Sequence, residues 1–150
     1  MGKIEGSETA EIDAPIERCY AHAADVDRIS EWQGGVQQVE VLQRDEQGRV
    51  LEAKISNDAK VRTVTTTVRF SYDDPPRHMS WSQTKGDLKT LDGEWTLEDL
   101  GDGRTRATYH LVGDPGRVLG MLVRGPVEGR IRDHLVKARP GELKRRAEAG

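Results

Sequence analysis

Between Val36 and Val112 the sequence switches repeatedly between alternating polar/apolar runs and turn chemistry, leaving little room for anything but a meander of antiparallel strands. Val36 to Arg44 and Val50 to Asn57 flank Asp45-Glu46-Gln47-Gly48, a hairpin connection with glycine where positive φ is needed. Lys60 to Tyr72 is rich in β-branched Val and Thr and stops at Asp73-Asp74-Pro75-Pro76, which no strand survives. His78 to Lys85, Lys89 to Glu98 and Thr105 to Val112 complete six consecutive strands, the last pair joined through Gly101-Asp102-Gly103.

The flanks read differently. Glu8 to Asp13 alternates as a first strand. After Pro15, the residues Ile16, Cys19, Tyr20 and Ala23 recur at helical spacing, predicting a helix over about 15–24. A second short helix follows Asp25-Val26-Asp27-Arg28 and ends by Trp32, before Gly34-Gly35. Beyond Asp114-Pro115 the period is helical again, with Val118, Leu119, Leu122, Val123, Val127, Ile131, His134 and Leu135 on one side of a long C-terminal helix. Proline removes a backbone donor and clashes with the preceding turn, so a kink is expected near Gly125-Pro126 and a break near Pro140.

A chain of 150 residues suits one domain, here 1–150 with 1–6 and 147–150 frayed. With 35% hydrophobic and 33% charged residues and a mean hydropathy of -0.72, apolar side chains must concentrate on inner faces. No stretch approaches the ~18 apolar residues of a membrane helix, and the start Met1-Gly2-Lys3-Ile4-Glu5 is not that of a secretory leader; a cytoplasmic protein is expected. Cys19 alone gives neither an internal disulfide nor a cysteine metal cluster, and is expected to be a small buried hydrophobe.

The net charge of -3 is uneven: residues 115–150 carry nine Lys/Arg against four Asp/Glu, a balance of +5, which leaves -8 in residues 1–114. The basic residues are interleaved with Glu128, Asp133, Glu142 and Glu148, which reads as an exposed helix face and not as a nucleic-acid surface.

The order of strand, two short helices, six-stranded meander and long helix is that of a helix-grip domain, an α+β fold in which a curved antiparallel seven-stranded sheet wraps a C-terminal helix. Several words sharpen the match: Ile12-Asp13-Ala14-Pro15-Ile16-Glu17 with Tyr20 one turn on, Asp25-Val26 leading to Glu31-Trp32, Gly93-Glu94-Trp95-Thr96-Leu97, Thr105-Arg106-Ala107-Thr108-Tyr109, and Glu142-Leu143-Lys144-Arg145-Arg146-Ala147-Glu148. In these the chain resembles the START-like (SRPBCC) superfamily, in its bacterial polyketide cyclase/dehydrase and coenzyme Q-binding branch. The resemblance implies a cavity between sheet and helix for a lipid, isoprenoid quinone, polyketide or similar apolar molecule.

Strand parity nominates the lining. Val68, Phe70 and Tyr72 share a face, as do Met79 with Trp81, Leu91, Gly93 and Trp95 with Leu97, and Ala107 and Tyr109 with Leu111. The candidate ligand-binding residues are Trp32, Phe70, Tyr72, Met79, Trp81, Trp95, Tyr109, Leu122, Val127 and Ile131, with Trp32 near the mouth. The same rings could equally fill a core. For acid–base chemistry the candidates are Tyr72, Tyr109, His134 and Arg69. The resemblance suggests Arg69, since cyclases of this branch use pocket arginine and tyrosine, although its parity points outward. His22, His78 and His110 are expected to face solvent, and no histidine pair has metal-ligand spacing, so neither a metal nor another cofactor is expected. Three functions remain open: a non-catalytic binding module for an apolar metabolite, an aromatase/cyclase or dehydratase using the same cavity, and an interaction protein using the basic last helix. A homodimer or protein partner also stays open.

Overall fold

The computed structural model describes residues 3–59, 62–120 and 126–150, with backbone alone at 118, 119 and 126–128. Strand β1 (Ile4–Ile12) is followed by helix α1 (Ile16–Ala24) and a 3-10 helix (Val26–Glu31). Then come β2 (Val36–Arg44), β3 (Val50–Asp58), β4 (Thr63–Asp74), β5 (His78–Gly86), β6 (Thr90–Gly101) and β7 (Arg104–Asp114). The seven strands form one antiparallel sheet in the order β1-β7-β6-β5-β4-β3-β2, so the meander is closed by β1 returning beside β7. This is the helix-grip arrangement.

Local chemistry accounts for the elements. In α1 the buried residues Ile16, Cys19, Tyr20 and Ala23 fall on one stripe, and the Tyr20 hydroxyl donates to the His78 carbonyl at 3.0 Å, tying α1 to β5. Burial raises the pKa of the Cys19 thiol, which keeps it in its neutral form inside the core. At the β2–β3 turn the Asp45 carboxylate accepts the N–H groups of Gln47 and Arg49, each at 2.9 Å, and Gly48 takes φ +84°, which a side chain would resist.

The C-terminal helical segment is irregular, as its prolines lead one to expect. It contains α2 (Gly116–Gly120), α3 (Pro126–Arg132), a π-helical turn (Asp133–Lys137) and α4 (Arg139–Glu148). The expected break at Pro140 is instead this wide turn: Pro140, near the start of α4, has no N–H for the Val136 carbonyl, and the extra residue absorbs the mismatch. Gly125, the other half of the expected kink, lies outside the described residues. The wide turn shifts the helix phase. Ile131 is buried, but the next fully buried position is Val136, five residues on, followed by Arg139, Pro140, Leu143 and Ala147. A regular helix would have carried the inner face through His134 and Ala138, whereas Leu135, half-buried, still packs against the core. Ala147, expected in a frayed end, is completely buried. Among the described residues no helix is long and apolar enough to cross a membrane.

On the outer face of the sheet His78 places Nε2 2.7 Å from Glu94 and Nδ1 2.8 Å from Asp73, and in its protonated form donates to both. Glu94 also faces His110 at 3.4 Å, and His110 faces Glu5 at 3.3 Å. His22, His78 and His110, expected to face solvent, are half-buried, and His78 and His110, outward as their parity indicated, belong to a carboxylate ladder. The hydrogen bonds to Glu94 and then Asp73 raise the pKa of His78, while His78 lowers those of both carboxylates. A raised histidine contributes stability that is complete below its ordinary value of 6.5 and lost as pH climbs through the folded value. Glu94, lowered, contributes above its ordinary 4.5 and loses this as pH falls. Replacing His78 by Gln is expected to cost more stability at about pH 5.5 than at about pH 8.5 in urea unfolding.

Candidate functional site

The pleat sends alternate residues of β4 to β7 to the inner face, and their rings meet across strands. Phe70 stacks on Tyr72 with centroids 6.4 Å apart and lies 6.0 Å from Trp81; Trp81 is 5.7 Å from Tyr109, and Tyr109 meets Trp95 edge-on at 4.8 Å. Gly93 makes this row possible. It lies opposite Trp81 in the ladder, and a Cβ on it would come within 2.4 Å of the indole.

Against this row lies a cavity of about 130 Å³. Phe70, Met79, Trp81, Trp95, Tyr109 and Ile131 all stand on its wall, with aliphatic side chains such as Val26, Ile29, Ile55 and Val68 between them. The register orients it. Asn57 at the end of β3, Arg62 in the following connection and Val64 at the start of β4 lie at one end of the sheet, with Leu88, Leu91, Gly113 and Pro115. Ala23 of α1 and Arg139 of α4 also stand on the wall.

The other candidates lie elsewhere. Trp32 is half-buried and packs on the core outside the described wall. Tyr72 is also off the wall: its hydroxyl donates to the Val50 carbonyl at 2.6 Å, and Arg49 lies over its ring at 4.6 Å. Burial raises the pKa of that phenol, which stays protonated. Arg69 is exposed and donates to Gln43 at 3.2 Å, as its parity indicated. His134 is turned away from the cavity, with Nε2 so near Gly35 that a Cβ there would lie 2.7 Å from it. Leu122 and the side chain of Val127 lie outside the described residues.

Two residues without a place among the sequence candidates shape the polar part of the site. Arg139 is 1% exposed, and its Nη1 donates to Glu142 Oε1 at 2.6 Å. The other Glu142 oxygen accepts the Gly34 N–H at 2.8 Å, so one carboxylate joins α4, the cavity wall and the loop before β2. A Cβ on Gly34 would lie 2.7 Å from that oxygen, which explains the glycine. Arg139 Nε is buried and finds no acceptor among the described residues. Tyr109 shares the wall with Arg139; burial raises the pKa of its phenol, and the nearby guanidinium pulls it partly back. The spacing of Arg139 and Glu142 is that of any i,i+3 surface pair, and only the phase shift at the π turn turns it inward.

Among the described residues no group of three or more His, Cys, Asp or Glu side chains is placed to hold a metal ion. The buried pair makes a firm stability prediction. Glu142→Ala leaves the guanidinium uncompensated and is expected to cost about 3–5 kcal/mol in urea unfolding, with Arg139→Met plus Glu142→Leu losing less than the two single changes together.

Comparison with known proteins agrees with this architecture. Residues 12–138 match the family described as polyketide cyclase / dehydrase and lipid transport. No curated protein matches the sequence significantly. Among solved structures, a START superfamily protein from Mycobacterium smegmatis is similar over 99% of both chains at 17% identity, with a TM-score of 0.84. A Thermus thermophilus protein is similar at 21% identity over 99% of this chain and 98% of its own, with a TM-score of 0.81. An aromatase/cyclase from a Streptomyces species is similar at 19% identity over 98% and 94%, with a TM-score of 0.75. At these identities the likenesses speak for the START fold, and the matching profile, which spans most of the chain, for the lineage: the chain belongs to the polyketide cyclase / dehydrase and lipid transport family.

Proposed function

We propose that the domain binds an apolar, ring-containing small molecule, a lipid, isoprenoid quinone or polyketide-like compound, in the cavity between sheet and C-terminal helix. The observation that carries this reading is the wall itself: four of the chain's seven aromatic residues, Phe70, Trp81, Trp95 and Tyr109, stand on it in a connected row, with aliphatic side chains opposite. Flat rings gain both area burial and ring–ring contact against such a surface.

The aromatase/cyclase reading draws on the Streptomyces neighbour and on Arg139 and Tyr109, which share the wall. Turnover by acid–base catalysis needs a group that takes a proton within reach of the substrate. Among the described residues the wall carries no carboxylate and no imidazole, and Tyr109 is held in its protonated form, so binding without turnover is favoured. The partner-binding reading relied on free basic residues in the last helix. Arg139 is buried against Glu142, Lys144 is paired with Glu148 and Arg146 with Glu31, which spends much of that charge internally.

Native mass spectrometry of protein from its own host, followed by denaturing extraction, is expected to release a stoichiometric apolar compound. Leu91→Trp, placed on the wall at a half-buried position, is expected to weaken binding of apolar ligands at least ~10-fold in calorimetry by filling their space, with little change in melting temperature. Unchanged affinity in that variant, with an empty protein from the host, would remove the cavity from consideration.

A further inference from the structure

We propose that Thr66, with Asn57 and Gln33 beside it, forms a subsite in the cavity wall for a neutral hydroxyl group on the ligand. This rests on the cavity being the binding site. Thr66 is 3% exposed and stands on the wall. A buried hydroxyl ordinarily finds a partner, as that of Thr105 does in the Ala14 carbonyl at 2.8 Å. The Thr66 hydroxyl makes no hydrogen bond to a described residue, yet its oxygen is not sealed off, and the little surface it keeps opens on the cavity. Asn57 and Thr66 lie on paired strands: Asn57 is opposite Val64 and Ile55 opposite Thr66, which makes the two diagonal neighbours on the inner face. Gln33 belongs to the same corner, because its carbonyl accepts the N–H of Val36, the residue paired with Asn57. Both amides are half-buried on the wall, with no hydrogen bond to a described residue. Thr66, Val68 and Phe70 follow one another on the inner face of β4, so one ligand can reach from this corner to the aromatic row.

The chemistry of the corner selects the group. A hydroxyl and two primary amides each donate and accept, which matches a ligand group that does both; an alcohol or phenol is such a group, whereas an ether or ketone only accepts. A carboxylate at Thr66 would need a counter-charge. Arg62, the cation of the wall without a carboxylate partner among the described residues, is exposed, with its Nε turned to the Thr63 carbonyl at 3.3 Å, and water weakens its pull on a buried anion. The ligand class is therefore an apolar ring compound bearing a hydroxyl, seated with its hydrocarbon against Phe70 and Trp81 and its oxygen at Thr66.

Three probes separate these demands: 2-methylnaphthalene, 2-naphthol and 2-naphthoate, titrated calorimetrically into the wild-type protein, Thr66→Val and Thr66→Ser. Valine keeps the branched shape of threonine and removes only the hydroxyl; serine keeps the hydroxyl. The ratio of naphthol to methylnaphthalene affinity is expected to fall about 5-fold in Thr66→Val and to survive in Thr66→Ser, with methylnaphthalene bound about equally by wild type and Thr66→Val. Naphthoate is expected to bind wild type more weakly than naphthol. Because no hydrogen bond is lost, ligand-free Thr66→Val is expected to be at least as stable as wild type in urea, and a clear loss of stability would show that the fold itself uses the hydroxyl and overturn the subsite. Equal affinity ratios in wild type and Thr66→Val overturn the subsite while leaving the cavity reading in place. Naphthoate binding more tightly than naphthol overturns the neutral class. Failure of both methylnaphthalene and naphthol to bind wild type removes the cavity reading and the subsite with it.

Discussion

A guanidinium that is 1% exposed cannot be left without a counter-charge, and the arrangement around Arg139 follows from meeting that demand. Glu142 must sit one turn on, which requires α4 to be regular from its first residues. Glu142 then has a second oxygen to satisfy, and the Gly34 N–H does so, bringing the loop before β2 so close to the helix that a side chain at Gly34 would have to displace that oxygen. The loop in turn sets the start of β2, where Gly35 accepts from the Asp58 N–H at 2.7 Å at the end of β3. One buried charge thus links the last helix, the first hairpin of the meander and the wall of the cavity.

The meander and its inner face were legible in the sequence because both are local properties. Turn residues such as Asp45 and Gly48 act within a few positions, and a period of two fixes which side chains face inward once a strand exists. Phe70, Trp81, Trp95 and Tyr109 follow from that parity alone. The C-terminal segment was not legible to the same degree. Placing His134 on the inner face assumes an unbroken period of 3.6, and the π turn at Asp133–Lys137 inserts one residue into the count. Everything after it rotates, so Arg139 and Glu142, which look like ordinary surface charges, turn inward. Tyr72 fails for another reason: its parity is right, but its hydroxyl finds the Val50 carbonyl and its ring finds Arg49, both outside the described wall.

The site divides its chemistry between two kinds of element. The sheet supplies breadth, a row of rings held edge to edge by cross-strand registration and by the absence of a side chain at Gly93. The helix adds Arg139, whose charge is already balanced by Glu142, and other elements add Gln33, Asn57, Arg62 and Thr66 to the wall.

The return of β1 beside β7 has a kinetic consequence. Thr9 and Thr108, whose hydroxyls meet at 2.9 Å, are 99 residues apart in the chain, whereas every other ladder of the sheet joins consecutive strands. The hairpins of the meander can form as each turn leaves the ribosome, but β1 waits for β7 before it has a partner. Until then β1 is an unpaired strand carrying the apolar side chains of Ile4 and Ile12, and α4, which packs on it, has nowhere to dock. The interior that would receive a ligand is completed only once β7 and α4 have been made, so a ligand can assist folding only by capturing the closed molecule and not by templating it.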